Sequence, residues 1–449
     1  MPDETLVIAP AWLARVEPGF DVETGMAVVV QADRIAAIEP VEQARAAHPQ
    51  AAFIDLPDHL LCPGFVNLHC HAAMTLLRGT GDDLPLERWL GERIWPIEGQ
   101  LMSPEFVHDG ALLACHELLL GGVTCLNDMY FFPESLLQAA RALGMRACAG
   151  IVVIDFPSAW GSGPDDYLAR GLAIRDRWLD DPLVGFALAP HAPYTVGDDA
   201  LRRVATLSRE LQLPVHIHVH ETAQEVARSV AAHGCRPLER LHRLGLLGPD
   251  LIAVHAVHLD ATEIALLAAH SASVAHCPHS NLKLGSGIAP IAELLDAGVN
   301  IGLGTDGAAS NNRLDVLHEA HTAAMLAKGA SGRAEVFPAR AVLEAMTLGG
   351  ARALGMENEI GSIRTGKQAD LVAVDLGAPE SRPVFDPISH LIYTAGREHV
   401  ADVWIAGHHV VRKRQLAAKN GRTALSDVVG RIGVWQNRIS RILSGTAAS

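Results

Sequence analysis

The chain has 449 residues, a length that suits one large barrel together with a modest second domain. Apolar residues make up 49% and charged residues 19%, a balance that excludes an intrinsically disordered chain. The formal net charge of -15 argues against nucleic acid and against an anionic membrane as partners, since both attract basic surfaces.

The N-terminal residues predict a cytoplasmic protein. The segment MPDETLVIAP is acidic where a signal peptide carries Lys or Arg, and no apolar run is long enough to span a bilayer. The seven cysteines form no C-x-x-C pair, and their odd number favours reduced, mostly buried thiols over a disulfide framework.

From about residue 62, short apolar or β-branched runs alternate with longer helical patterns. Eight such runs are present, at 62–69, 122–128, 145–153, 183–191, 214–221, 251–256, 272–278 and 299–306. Repeated βα units of this kind predict an α/β fold with a (β/α)8 TIM-type barrel, which we assign to residues 62–358.

The two ends of the chain show a different pattern. Residues 1–61 and 359–420 carry strand-like fragments separated by turn residues, and we expect them to form one small β-sandwich domain. Residues 421–449 are assigned to a C-terminal helix and tail. The apolar helices and the exposed edges of the small domain are compatible with a homo-oligomer.

Ionisable side chains stand at the predicted ends of most barrel strands. They are His69, His71, His191, His218, Glu221, His255 and Asp306. Because the active sites of such barrels lie at the carboxyl ends of the strands, we expect these side chains to form one site.

Histidine pairs strengthen this expectation. His-x-His occurs three times, at 69/71, 216/218 and 218/220, where 23 histidines placed at random give about one pair. Alternate residues of a strand share a face, so His69 and His71 can point at one ion. His216, His218 and His220 also share a face, and only one or two of them can lie at the depth of the site.

The donor set of three imidazoles and one carboxylate suits zinc and leaves one coordination position open. Ferrous iron is the less favoured alternative metal. Such a metal lowers the pKa of a water molecule, and side chains must then move protons to the leaving group. Asp306 and Glu221 suit those roles. The alternative for each is a capping or ion-pair carboxylate.

Two other kinds of site are excluded by spacing. The stretch GLGTDG (302–307) lacks the glycine spacing and the lysine of a phosphate-binding loop. No H-x-E followed by P-C-x-x-C is present, so the chain is not a cysteine-ligated deaminase.

The ordered motifs PGFVNLHCH, HIHVHE, HAVHL and GLGTDGAASNN resemble those of the amidohydrolase superfamily. Within it, the chain is similar to the 5′-methylthioadenosine/S-adenosylhomocysteine deaminases of the branch that includes s-triazine hydrolases. The segments that carry this resemblance are HAAMTLLRG, LERWLGERIWPIE, DMYF, APHAPYT and NLKLGSGIAP. The resemblance covers almost the whole chain and implies a small-molecule nucleoside substrate.

The resemblance also implies roles for single residues. One zinc ion per subunit would be held by His69, His71, His218 and Asp306, and no lysine stands where a bridge to a second metal would be needed. Asp306 would accept a proton from water, His255 would orient that water, and Glu221 would protonate the ring nitrogen and then the departing amine. The residues implied in contact with the nucleoside are Glu98, which would bind the ribose hydroxyls, His191, Trp89, Glu221 and Asp306.

One segment departs from the family pattern. Relatives that accept S-adenosylhomocysteine well carry arginines after the third strand, whereas residues 149–167 here contain none and include Asp165 and Asp166. We therefore expect 5′-methylthioadenosine, and adenosine, to be better substrates than S-adenosylhomocysteine, with Arg170 as the one nearby arginine that could fold back.

Two other functions compete with this interpretation. The first is an amidohydrolase of another heterocycle, such as an s-triazine or 8-oxoguanine-type deaminase. The second is a barrel that has lost catalysis and serves as an interaction protein, although every ligand position of the family motif is occupied.

Overall fold

The computed structural model describes residues 5–17, 19, 21–417 and 419–445. Its N-terminal strands are β1 Leu6–Ala14, β2 Val22–Glu23, β3 Met26–Gln31, β4 Arg34–Pro40 and β5 Ala52–Pro63. The barrel strands are β6 Phe65–Cys70, β7 Val123–Asp128, β8 Arg146–Val153, β9 Val184–Pro190, β10 Val215–Val219, β11 Leu251–His255, β12 Ser273–His276 and β13 Asn300–Leu303. The C-terminal strands are β14 Leu371–Asp375, β15 Val400–Ile405, β16 His408–Arg412 and β17 Gln415–Leu416.

The α-helices separate the barrel strands and flank both sheets. They are α1 Val41–Ala47, α2 Leu86–Trp89, α3 Trp95–Leu101, α4 Pro104–Leu120, α5 Pro133–Leu143, α6 Pro164–Trp178, α7 Asp198–Leu211, α8 Ala223–His233, α9 Pro237–Arg243, α10 Ala261–Ala269, α11 Pro278–Lys283, α12 Ile291–Asp296, α13 Val316–Ser331, α14 Ala339–Glu344, α15 Gly350–Ala353, α16 Pro387–Tyr393 and α17 Lys419–Leu443.

The eight strands β6 to β13 are parallel and pair in chain order, which confirms the predicted (β/α)8 barrel. The first and last strands lie side by side, since the backbone N–H of Asp306 donates to the carbonyl of His69 at 3.0 Å. These strands are almost wholly buried, because helices cover the outer face of the barrel. The carboxyl ends of all eight strands therefore meet at one rim.

The second sheet is mixed and is assembled from both ends of the chain. Its central strand β5 pairs in parallel with β1 and antiparallel with β14. A buried ion pair connects the end of this sheet to the barrel: Nε of Arg146 lies 3.1 Å from Oδ2 of Asp370, and each side chain is about 1% exposed. Loss of one partner would leave an unpaired buried charge, so this contact holds the two sheets in a defined orientation.

A helical segment between β6 and α4 covers the rim of the barrel. It comprises a 3-10 helix Ala72–Leu77, helix α2, a π-helical turn Leu90–Ile94 and helix α3. Helix α17 packs against this layer. Nε1 of Trp435 donates to Oδ2 of the buried Asp109 on α4 at 2.9 Å, and Nε of Arg431 donates to the same oxygen at 3.0 Å.

Helix α17 covers residues 421–443 of the segment that the sequence assigns to a C-terminal helix and tail, and residues 446–449 of that segment lie outside the described residues. In the part of the chain that the structure describes, no helix combines the length and the apolarity required to cross a membrane.

Candidate active site

The side chains predicted to bind metal converge at the carboxyl rim of the barrel. His69 lies next to the last residue of β6, His71 follows that strand, His218 lies on β10 and Asp306 follows β13. Oδ1 of Asp306 lies 3.2 Å from Nε2 of His69 and 3.2 Å from Nε2 of His71. Nε2 of His218 lies 3.3 Å from Nε2 of His69. Two groups of donor atoms within 4.8 Å of one another share His69: His69 with His71 and Asp306, and His69 with His218 and His255. The four predicted ligands and His255 thus form one cluster.

The hydrogen bonds of the outer ring nitrogens orient these imidazoles. Nδ1 of His71 donates to the carbonyl of Met129 at 2.6 Å, and Nδ1 of His218 donates to the carbonyl of His191 at 2.7 Å. A carbonyl only accepts, so each of these rings carries its proton on Nδ1 when neutral. The Nε2 lone pair of each ring is consequently directed into the cluster, as in proteins that bind a metal through histidine.

Charge state and spacing both fit a divalent cation. Burial lowers the pKa of His69 to about 3 and holds the pKa of His218 well below its usual value, so both rings are neutral. Burial opposes ionisation of Asp306, but the adjacent imidazoles of His69 and His71 hold its pKa well below the usual range. Burial opposes protonation of His71, but the Asp306 carboxylate raises the pKa of that ring to about 9, and a bound cation would take the place of this proton. Four tetrahedral donors at ~2.1 Å from one ion stand about 3.4 Å apart, close to the separations observed here.

Asp306 is held rigidly between backbone and side-chain donors. Its Oδ2 accepts hydrogen bonds from Oγ of Ser280 at 2.5 Å and from Oγ of Ser310 at 2.8 Å, while the N–H of Gly307 donates to Oδ1 at 2.8 Å. The backbone of Asp306 is left-handed, with φ of 59°. Such strain at a strand end is typical of residues that an active site holds in place.

Glu221 lies beside the cluster and is buried. Burial raises the pKa of its carboxyl to about 7, so it carries a proton below that pH. Its Oε2 lies 3.8 Å from Nε2 of His255, whose Nδ1 donates to Oδ1 of Asn281 at 2.8 Å. A buried carboxyl with a pKa near neutrality suits a general acid and base.

The backbone of Glu221 is fixed by a second carboxylate. The two oxygens of Glu225 accept hydrogen bonds from the N–H groups of His220 at 2.9 Å and of Glu221 at 2.8 Å. His220 has a left-handed φ of 58°. This turn directs the Glu221 side chain towards the cluster.

The three histidines of the fifth barrel strand lie in different places. His218 belongs to the cluster. His216 lies deeper in the barrel, where its Nε2 is 2.8 Å from Nδ1 of His69. His220 is turned away: its Nε2 accepts a hydrogen bond from the N–H of Leu238 at 3.1 Å and lies 2.9 Å from Oε1 of Glu263.

A cavity of about 230 Å³ opens above the cluster. His71, His218, Glu221, His255 and Asp306 form its floor. The three side chains predicted to contact the nucleoside, Trp89, Glu98 and His191, also line it. The structure therefore brings the predicted site residues to one cavity, apart from His69, which is fully buried in the cluster beneath it.

Glu98 lies on α3, and its carboxyl faces the cavity. Burial raises the pKa of this carboxyl to about 7, and the hydroxyl of Tyr130 donates to its Oε1 at 2.6 Å. Burial lowers the pKa of His191 to about 4, so this ring is neutral, and its Nδ1 lies 2.9 Å from Oγ1 of Thr195.

The outer part of the cavity wall is apolar. It is formed by Leu86, Leu90, Ile94, Trp95, Phe131, Ile154, Phe156, Pro157 and Leu284. None of the described residues that line the cavity is a lysine or an arginine. Arg170 lies outside it, where its Nε donates to Oδ1 of Asp166 at 2.8 Å. Asp165 forms an ion pair with Arg203.

Several supporting residues were not singled out from the sequence. Ser280, Ser310 and Tyr130 lie inside the recognised segments or next to them. Ser280 and Tyr130 act on residues that are distant in the sequence, whereas Ser310 acts on Asp306 four residues before it. Glu225 lies four residues after Glu221, at helical spacing, which is a signal that could have indicated it.

Comparison with known proteins agrees with this geometry. Residues 60–410 match the model of the amidohydrolase family. A protein from Saccharophagus degradans named 5-methylthioadenosine/S-adenosylhomocysteine deaminase is 43% identical over 97% of this chain and 96% of its own length. A crystal structure of an adenosine deaminase from Xanthomonas campestris with bound zinc is 48% identical, with a TM-score of 0.93 over 97% of this chain and 98% of that one.

An atrazine chlorohydrolase from Arthrobacter aurescens complexed with zinc is similar in fold. Its TM-score is 0.87 at 22% identity, and it covers 95% of this chain and 100% of its own. At that identity the similarity concerns the fold alone.

A (β/α)8 barrel with three histidines and one aspartate converging at its carboxyl rim defines a hydrolase of the amidohydrolase class, built to hold a divalent metal. Within that class, the chain belongs to the family of the 5-methylthioadenosine/S-adenosylhomocysteine deaminases.

Proposed function

We propose that the protein catalyses zinc-dependent hydrolytic deamination of 5′-methylthioadenosine to the inosine analogue and ammonia. Adenosine is a further substrate, and S-adenosylhomocysteine a poorer one. The observation that carries this proposal is a single cavity that joins the histidine and aspartate cluster to Glu221, to Glu98 and to an apolar outer wall.

The proposed metal ligands are His69, His71, His218 and Asp306. A site built from neutral imidazoles and one carboxylate binds zinc more tightly than ferrous iron. When bound, zinc would lower the pKa of a water molecule towards neutrality.

Two side chains move protons in this proposal, and a third orients the water. Asp306 accepts a proton from the attacking water, and His255, held by Asn281, orients that water and the developing hydroxyl. Glu221 donates its proton to the ring nitrogen beside the attacked carbon. It then takes up the proton of the new hydroxyl and passes it to the departing amine, and the proton held by Asp306 returns to Glu221. Its pKa of about 7 suits both directions of transfer near neutral pH.

The nucleoside is held above this centre. Glu98 accepts hydrogen bonds from the ribose hydroxyls, His191 contacts the nucleoside and Trp89 forms part of the pocket wall. A carboxylate that accepts two hydroxyl hydrogen bonds is a strong anchor, since hydrogen bonds to a charged group contribute more than neutral ones.

The outer wall supports a preference for an uncharged 5′ substituent. The cavity offers apolar contacts to a methylthio group, and no described lining residue offers a cation to the carboxylate of S-adenosylhomocysteine. Arg170 does not line the cavity and is paired with Asp166 on its own helix. A carboxylate without its charged partner typically loses about 1.5 to 3 kcal/mol of binding free energy.

We expect kcat/KM for 5′-methylthioadenosine to exceed that for S-adenosylhomocysteine by about tenfold to a hundredfold. Ammonia release by the zinc-loaded protein measures this, with adenosine, guanine and an amino- or chloro-triazine in the same panel. A larger kcat/KM for S-adenosylhomocysteine would contradict our interpretation of the outer wall.

The rival substrate class is a flat heterocycle without ribose, such as an s-triazine. Replacement of Glu98 by Gln distinguishes the two, because only a nucleoside offers hydroxyls to this carboxylate. We expect E98Q to lower kcat/KM for 5′-methylthioadenosine at least about tenfold. A negligible effect on the nucleoside, together with turnover of the triazine, would favour the rival. The matched control is E239Q, which changes an exposed glutamate on α9 that pairs with Arg243.

A further inference from the structure

Tyr130 connects the proposed ribose-binding carboxylate to the barrel. It lies in the loop after β7, is 5% exposed, and donates its hydroxyl proton to Oε1 of Glu98 on α3 at 2.6 Å. Burial and the negative charge of Glu98 raise the pKa of Tyr130 well above its usual value, so the phenol keeps its proton and acts as the donor.

The same loop also holds a residue of the proposed metal site. The carbonyl of Met129 accepts the hydrogen bond from Nδ1 of His71 at 2.6 Å, and the next residue, Tyr130, holds Glu98. Two consecutive residues thus set the position of the reaction centre and the position of the carboxylate above it. This arrangement fixes the distance between the two ends of a bound nucleoside.

The contact also determines which part of Glu98 is available. Oε1 is occupied by the phenol, and no hydrogen bond from any described residue reaches Oε2, although the side chain lines the cavity. Because the hydrogen bond from Tyr130 fixes Oε1, it also fixes the plane of the carboxylate. The free lone pairs of both oxygens therefore point in defined directions. Two adjacent hydroxyls of a ribose match those acceptors, whereas a sugar without them leaves the acceptors unpaired.

We propose that Tyr130 is a positioning residue that, by holding Glu98, makes the enzyme select nucleosides that carry both the 2′ and the 3′ hydroxyl. The proposal rests on the proposed function, in which Glu98 binds the ribose. Tyr130 itself does not contact the reacting atoms.

The test compares wild-type protein with Tyr130→Phe on 5′-methylthioadenosine and on its 2′,3′-dideoxy analogue. Phenylalanine keeps the ring, which belongs to the same buried apolar cluster as Met74, Trp89 and Ile97, and removes only the hydroxyl. We expect Y130F to lower kcat/KM for 5′-methylthioadenosine about tenfold, mainly through KM, and to leave the dideoxy analogue almost unchanged. The ratio of kcat/KM for 5′-methylthioadenosine to kcat/KM for the dideoxy analogue would fall by the same factor.

Three further measurements separate positioning from a structural role. In the E98Q background, Y130F should have little additional effect, because the two side chains act as one unit. Y393F, at the end of α16 and outside the cavity, should leave both substrates and the melting temperature unchanged. Equal losses on both substrates with a lower melting temperature, or unchanged selection in Y130F, would overturn the proposal.

A binding measurement keeps the two proposals apart. Calorimetry of the two nucleosides on the metal-free protein reports ribose selection without turnover. Ribose selection that is present in wild type and lost in Y130F supports the role of Tyr130 even if deamination is absent, which would overturn only the proposed reaction. Wild-type protein that binds both nucleosides equally would overturn the role of Tyr130.

Discussion

Replacement of Glu221 by Gln is expected to lower kcat for 5′-methylthioadenosine about a hundredfold to ten-thousandfold while the metal content stays unchanged. The amide has nearly the same shape but cannot transfer a proton to the ring nitrogen. Glu221 is close to the proposed metal ligands without being one of them, and its nearest basic atom is Nε2 of His255 at 3.8 Å. Single-turnover kinetics together with metal analysis measure the two quantities separately.

The pH dependence gives the same residue an independent test. Burial raises the pKa of Glu221 to about 7, so the free enzyme carries the catalytic proton below that pH and loses it above. We therefore expect kcat/KM of wild-type protein to decline as the pH rises through about 7, and we expect E221Q to lack this decline.

A second carboxyl on the protein surface provides the control for the E221Q prediction. E239Q changes an exposed carboxyl on α9 and should leave kcat, metal content and pH profile unaltered. Substantial activity of E221Q, with a retained decline above neutral pH, would mean that another group transfers the proton.

The second large effect is expected for Asp306→Asn, which should lower both metal content and kcat. Asp306 is the one carboxylate in the cluster with His69 and His71, and it is also the proposed proton acceptor. Asparagine can still accept hydrogen bonds from Ser280 and Ser310 but supplies no negative charge to a divalent cation. The loss of metal affinity should exceed the roughly tenfold to hundredfold effect of removing an outer hydrogen-bond partner.

Metal analysis of protein purified without added metal measures this prediction, with kcat determined after zinc is restored. A chelator should also lower the melting temperature of wild-type protein, because a ligand that binds only the folded state stabilises it, and should lower that of D306N less. D296N, which alters an exposed ion pair with Arg333, is the matched control. Full metal content and activity in D306N would show that Asp306 is not a ligand.

Much of the fold was predictable because it depends on local patterns. The apolar runs of the barrel strands are buried on both faces, and alternation with helices restricts them to a parallel sheet in chain order. Parallel strands in a barrel end at one rim. The sequence therefore predicts that the residues following these strands, such as His71 and Asp306, lie in one site.

The depth of each side chain was not predictable in the same way. His216, His218 and His220 have identical spacing, yet only His218 lies in the cluster. The stagger of β10 against its neighbours sets the depth, and the left-handed backbone at His220 turns that ring towards Glu263. Both features depend on contacts with distant parts of the chain.

The sequence by itself determined the barrel, the family and the chemical types of the site residues, because these follow from periodicity, strand ends and ordered motifs. Only the tertiary structure decided which distant groups support them: Tyr130 on Glu98 and Ser280 on Asp306. It also decided that Arg170 lies with Asp166 outside the cavity. The physical reason is that hydrogen bonds and pocket walls form between residues far apart in the chain, whose approach depends on the packing of whole elements.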